Sequence, residues 1–208
     1  MMNNYIDKNS LELFLDNIDK CLINKSFLPA LTMALIIPDM LGKLAYPDLE
    51  KNKNRYIKWF DDNIRDIVFG HLRSQNPLDV SGDSPKLNGE VCYALRCKLY
   101  HEGINDIEEK TPSMHINEFV LSLADEDWVM GDYAGKDYIF SEWDPVTGKV
   151  PEVNYLYISC KGLCKEIVEA AKVFVRKNPD LDYPTLRINQ GGGKINSDWF
   201  VNQIRIKK

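Results

Sequence analysis

The sequence predicts a mainly α fold of the α+β type. A helical bundle takes residues 10–103 and 159–178, a small β-hairpin insertion occupies about 114–158 ahead of the last long helix, and a hairpin-like segment follows over 183–208. Three observations predict this. Apolar residues recur at steps of three and four from residue 10 to 103 and again over 159–177. Between those stretches lie short β-branched and aromatic runs punctuated by Gly, Pro and Asp. No internal repeat, low-complexity tract or long linker divides the 208 residues, so they read as one domain, long enough to bury a core without disulfides or a structural metal.

Residues 10–24 place Leu11, Leu15, Ile18 and Leu22 on one helical face, with Ser10 as the expected N-cap. From 27 to about 46 a dense apolar run opens with Pro29, suited to a first helical turn, and then meets Pro38. That predicts two helical pieces joined at Ile37-Pro38-Asp39. Over 54–69, Tyr56, Trp59, Phe60, Ile64, Ile67 and Val68 recur at helical spacing, with Gly70 just beyond. The Pro-, Gly-, Ser- and Asp-rich stretch 74–86 predicts a surface loop. Asn88 is placed to cap a fourth helix running to Glu102 and stopped by Gly103, with Glu90 in the turn where the helix dipole favours an acid. The runs 115–123, 127–133, 136–143 and 153–158 predict small hairpins. Helical periodicity returns through Leu163, Ile167, Ala170, Ala171 and Phe174. The segment Gly191-Gly192-Gly193, followed by 195–206, predicts a short terminal hairpin.

With 26 Lys and Arg against 31 Asp and Glu, the formal net charge is -5. Charge-driven capture of duplex nucleic acid rests on a basic surface, so only a small local site remains open to it. Basic residues gather at Lys51, Lys53, Arg55 and Lys58 and at Arg205, Lys207 and Lys208, each group diluted by Asp and Asn, as on a solvated face. The five cysteines (Cys21, Cys92, Cys97, Cys160, Cys164) are odd in number and spaced for helices rather than zinc knuckles, which predicts reduced thiols. Three histidines and no H-E-x-x-H pattern point away from a metal site, and no cofactor is expected. The longest apolar run, 28–37, is closed by Pro38 and Asp39 and falls short of the roughly 20 residues a membrane helix needs. The N-terminus shows no basic segment followed by an apolar stretch and a small-residue cleavage site, so the expected location is the cytoplasm.

The segment 87–103 carries the most chemistry. On an ideal helix at about 100° per residue, Val91, Cys92, Leu95 and Leu99 share one side and suit the core. The opposite side carries Tyr93, Arg96, Cys97, Tyr100 and His101, a poor solvent face. The helix is therefore expected to be buried on both sides, with the second side against the β insertion or another subunit.

Arg96-Cys97-Lys98-Leu99-Tyr100-His101 is an R-x-x-x-x-H pattern late in a helix of an α bundle, and it resembles the HEPN superfamily (higher eukaryotes and prokaryotes nucleotide-binding). The resemblance covers the helical portion. It implies a dimeric helical bundle and metal-independent ribonuclease activity of the kind found in toxin–antitoxin, phage-defence and CRISPR effector systems. It implies catalytic roles for Arg96 and His101, with the facing motifs of a homodimer forming one composite site. Tyr93, Cys97 and Tyr100 would line that site. RNA or a nucleotide would be the ligand, and an antitoxin or other protein a partner. The flanking words at 37–44 and 55–60, and His101-Glu102-Gly103, also resemble an uncharacterised bacterial family carrying the motif. Active HEPN members place a polar residue such as Asn, Asp or His after the Arg, where this chain has Cys97.

The chemistry needs no metal. Cleavage of RNA by its own 2′-hydroxyl requires a base, an acid for the leaving 5′-oxygen and a cation over the phosphorane charge. A His titrating near neutrality serves as base or acid, and the Arg fork matches phosphate oxygens. On one ideal helix Arg96 and His101 lie about 140° apart, so a second motif across a two-fold axis would complete the site.

The same residues also suit a non-catalytic bundle that binds nucleotide, RNA or protein. Arg96 and His101 would then satisfy buried acceptors or an acid such as Glu90, Glu102 or Asp39. Asp39 itself is expected to cap the helix after Pro38. Trp59-Phe60-Asp61-Asp62 is assigned to packing rather than base stacking. Gly191-Gly192-Gly193-Lys194 lacks the full phosphate-loop frame and reads as a turn. Cys97 beside Arg96 is a minor candidate for a thiolate nucleophile or redox sensor.

Overall fold

The computed structural model describes residues 5–64, 87–102, 118–125 and 155–189. Among these the fold is mainly helical, with two small two-stranded sheets. Strand β1 (Tyr5–Asn9) runs directly into helix α1 (Ser10–Ile23). The N-cap is Asn9 rather than Ser10, because the Asn9 side chain accepts from the Leu11 and Glu12 amides. The Ser10 hydroxyl instead donates to the Pro184 carbonyl at 2.6 Å. Leu11 and Ile18 are buried as their spacing requires, and Leu15 and Leu22 pack at the margin of the core.

The apolar run splits into α2 (Phe27–Ala34) and α3 (Ile37–Ala45). The join falls at Leu35-Ile36, ahead of the expected Ile37-Pro38-Asp39. Pro38 has no amide to offer, so it sits in the first turn of α3, where no partner is needed, and opens the helix instead of ending one. By composition, Phe27–Ala45 is apolar enough to cross a membrane, with a mean hydropathy of 1.5. It is nevertheless two short helices, and half of it is buried against the rest of the chain.

Helix α4 (Asn52–Asn63) buries Tyr56, Trp59 and Phe60, and Ile64 follows at its C-cap. Both α3 and α5 (Gly89–Cys97) pack on it at close range. A Cβ on Gly42 would lie 2.7 Å from the Arg55 carbonyl oxygen, and one on Gly89 only 2.5 Å from that of Ile57. Helix α4 thus holds α3 and α5 backbone to backbone, which fixes where their side chains can meet. Helix α5 starts as expected, with the Asn88 side chain accepting from the Val91 amide at 3.0 Å. It then widens into a π-helical turn over Lys98–Glu102.

Strand β2 (Glu118–Ser122) pairs with β3 (Tyr155–Ser159) in parallel, from Glu118↔Tyr155 to Ser122↔Ser159. This corrects the hairpin expectation for these two runs, since parallel neighbours require a crossover between them. Ser159 both ends the ladder and caps helix α6 (Cys160–Lys177), accepting from the Gly162 amide at 3.1 Å. Helix α6 packs on α2 and lays Leu163, Ile167, Ala171 and Phe174 into the core, with Phe174 edge-on to Trp59 at 6.1 Å.

The last described strand, β4 (Thr185–Asn189), pairs antiparallel with β1, from Asn9↔Thr185 to Tyr5↔Asn189. This is a long-range pairing for the described part of 183–208, and the hairpin expected at Gly191-Gly192-Gly193 and 195–206 lies outside the described residues. Ile67, Val68, Gly70, the loop 74–86, Gly103, the runs 127–133 and 136–143, Gly191-Gly192-Gly193-Lys194 and the rest of 190–208 lie outside the described residues. All five cysteines are free thiols, with Cys21 half-buried and the others buried.

Candidate functional site

The expected core side of α5 is confirmed in Val91, Cys92 and Leu95, all fully buried, and in the half-buried Leu99. Among the described residues, its opposite side meets α2, α3 and α4 of the same chain. Arg96 carries that junction. Its Nη2 lies 2.8 Å from Asp39 Oδ2, with side-chain exposures of 23% for Arg96 and 14% for Asp39. Asp39 stands in the first turn of α3, yet that helix has no side-chain cap. The expected cap is therefore an ion-pair partner, and its second oxygen, Oδ1, accepts from Asn52 Nδ2 at 2.6 Å at the start of α4.

The guanidinium lies 5.8 Å from the ring centroids of both Tyr93 and Tyr100, one helical turn to either side. Tyr93 is half-buried and meets Tyr56 edge-on at 5.3 Å. Tyr100 is 38% exposed and anchored through its hydroxyl, which donates to the Thr32 carbonyl on α2. Cys97 is 8% exposed, and its Sγ lies 3.9 Å from Arg96 Nη1. Three polar atoms in this nest lack a hydrogen-bond partner: Arg96 Nε, Asp39 Oδ2, which meets Nη2 as an ion pair, and the hydroxyl of the fully buried Tyr56. Among the described residues, the Arg96 fork is thus engaged by a carboxylate at one tooth only.

The electrostatics follow from burial and the ion pair. Burial opposes the charge on Arg96, but the Asp39 carboxylate and the Cys97 sulfur outweigh it and hold its pKa above the ordinary value. Burial pushes the Tyr56, Tyr93 and Tyr100 hydroxyls upward. All three tyrosines are therefore neutral near pH 7 and act as donors or aromatic walls, not as bases. The arrangement offers one sheltered permanent cation between aromatic rings.

The backbone of His101 belongs to the π-helical turn, and its side chain lies outside the described part of the structure. The turn alters the angular relation between the two motif positions. With i→i+5 bonding and about 4.4 residues per turn, position 101 moves to roughly 70–90° from position 96 instead of about 140°. The single motif is less spread than an ideal helix would make it.

The remaining candidates take structural places. Glu90 pairs with Lys53 at 3.6 Å on the surface. Trp59 and Phe60 are core, and Asp61 Oδ1 accepts from the first amide of α5 at 2.8 Å. Lys51, Lys53 and Lys58 are exposed, and Lys58 pairs with Asp62. Among the described residues no group of three or more His, Cys, Asp or Glu could hold a metal ion. Asp39, Asn52, Tyr56 and Thr32 are the site members the motif itself does not announce. Of these only Asp39 carries a signal in the sequence, both as the cap expected after Pro38 and as one of three acids that could satisfy Arg96. No family model matches the chain, and neither does any curated protein or solved structure.

Proposed function

We propose that this protein is a HEPN-like, metal-independent endoribonuclease that acts in defence or toxin systems, with Arg96 holding the scissile phosphate and His101 moving the proton. The observation that carries the reading is the Arg96 nest: a permanent cation, reachable at 23% exposure, flanked by two tyrosine rings and only partly satisfied by Asp39. In the reaction, a 2′-hydroxyl loses its proton to a base and attacks phosphorus. The 5′-oxygen leaves with a proton from an acid, and Arg96 faces the charge that develops on the phosphorane oxygens. One His cannot be base and acid in the same step. A second copy of the chain supplies the facing motif, so the active species is a homodimer.

A second reading rests on the Asp39 contact. A sheltered Arg–Asp pair is also what a non-catalytic bundle uses to join two helices, and such a bundle binds nucleotide, RNA or protein without cleaving anything. One experiment separates the two. Labelled RNA is incubated in EDTA with wild type, Arg96→Ala and His101→Ala, each verified as folded by circular dichroism. The ribonuclease reading expects cleavage by wild type and a drop of at least about 100-fold in each variant. Intact RNA with wild type across diverse sequences selects the non-catalytic bundle.

A further inference from the structure

We infer that Asp39 is a displaceable internal mimic of the substrate phosphate: at rest it occupies one tooth of the Arg96 fork, and an RNA phosphodiester takes its place. This rests on the proposed reading of Arg96 as the phosphate-holding residue and adds a resting-state regulation of that site.

The geometry of the pair supports the inference. A structural Arg–carboxylate pair gains most when two oxygens meet two nitrogens in parallel. Among the described residues only Nη2 meets a carboxylate oxygen, at 2.8 Å, while Nε has no acceptor and Nη1 has only the Cys97 sulfur at 3.9 Å. Asp39 cannot complete the fork, because Asn52 Nδ2 holds its other oxygen at 2.6 Å from a different helix. A phosphodiester brings two anionic oxygens on one phosphorus and can engage the fork at two nitrogens.

The guanidinium does not depend on Asp39 alone for its place. Tyr93 and Tyr100 flank it at 5.8 Å each, and both rings are themselves held, Tyr93 against Tyr56 and Tyr100 through the Thr32 carbonyl. Those cation–π contacts remain when the carboxylate is displaced. The exchange is then one anion for another at a site already shaped for a planar cation. Asp39 also repels any phosphate that does not displace it, so weak anions are excluded.

The test is fluorescence anisotropy of a labelled single-stranded RNA, 2′-O-methylated so that no cleavage can occur, at fixed salt and with EDTA. Asp39→Asn keeps the shape and the Asn52 contact but removes the competing charge, and it is expected to tighten binding by about fivefold. Asn52→Ala frees Asp39 to close onto the fork and is expected to weaken binding. Asp48→Asn removes the same charge from an exposed position and should leave the affinity within about twofold. Circular dichroism and thermal melting confirm that each variant is folded.

Equal or weaker binding by folded Asp39→Asn, or an equal gain from Asp48→Asn, overturns the inference while leaving RNA binding at Arg96 intact. Binding that is absent throughout, or that Arg96→Ala leaves unchanged, overturns the underlying reading and the inference with it.

Discussion

Arg96 is a cation met by a carboxylate at one end of its fork and flanked by two tyrosine rings, whereas Arg55, whose Nε also lacks a partner, donates to the Leu49 carbonyl. The neighbours of Arg96 on the helix were legible from the 100° arithmetic, which put Tyr93, Cys97 and Tyr100 beside it. Asp39 was legible as one of three acids that could pair with Arg96, but nothing local distinguishes a capping Asp after Pro38 from one aimed at another helix. The thiols show the same contrast in burial. Cys92 and Cys164 are enclosed and their pKa values are pushed well up, and burial raises Cys160 to about 11. Since the thiolate is the reactive form, these three thiols should resist iodoacetamide at pH 8 in the native protein. Half-buried Cys21 should be alkylated first, as read by peptide mass spectrometry. Native-state modification of Cys160 or Cys164 at a rate matching Cys21 would contradict the burial described above.

At the scale of elements, helices were easier to read than strand partners. Periods of three and four identified α1, α5 and α6 because each helix buries its own stripe. A β-branched run says that a segment is a strand but not what it pairs with. Both described ladders join segments far apart in sequence, so the hairpin reading of 115–123 and 153–158 failed on partner rather than on type. The π-helical turn was also invisible, since no residue in Lys98–Glu102 demands it. The placement of Arg96 opposite Asp39 depends on α4 lying between α3 and α5 at backbone contact. Gly89→Ala would gain helix propensity but must push a Cβ away from the Ile57 backbone. The expected net result is a loss of about 1–3 kcal/mol in urea denaturation, along with reduced RNA affinity as Arg96 shifts from its place between Tyr93 and Tyr100. An unchanged or raised midpoint would mean that the α4–α5 contact yields easily and does not fix the site.

At the scale of the whole molecule, the chain closes on itself: β4 returns to β1, and Ser10 bonds back to Pro184, so residues near both ends are tied into one assembly. The mainly α architecture was legible because most apolar residues fall on helical stripes. The sidedness of α5 was only half legible: its aromatic side is covered by α2, α3 and α4, except at Tyr100, which remains 38% exposed. That exposed ring beside Arg96 is where a second copy would have to approach for two motifs to share one phosphate. Tyr100→Asp places a charge there and is expected to shift the protein toward monomer in light scattering while leaving it folded. An unchanged dimer would move the interface elsewhere and remove the composite site.

The most direct measurement of the central claim is mass spectrometry of the products formed from single-stranded RNA in EDTA. Attack by the 2′-hydroxyl at a site held by Arg96 predicts fragments with 2′,3′-cyclic phosphate and 5′-hydroxyl ends from wild type, none from Arg96→Ala, and none from DNA of the same sequence. RNA that stays intact with wild type, or the same fragments from Arg96→Ala, would contradict it.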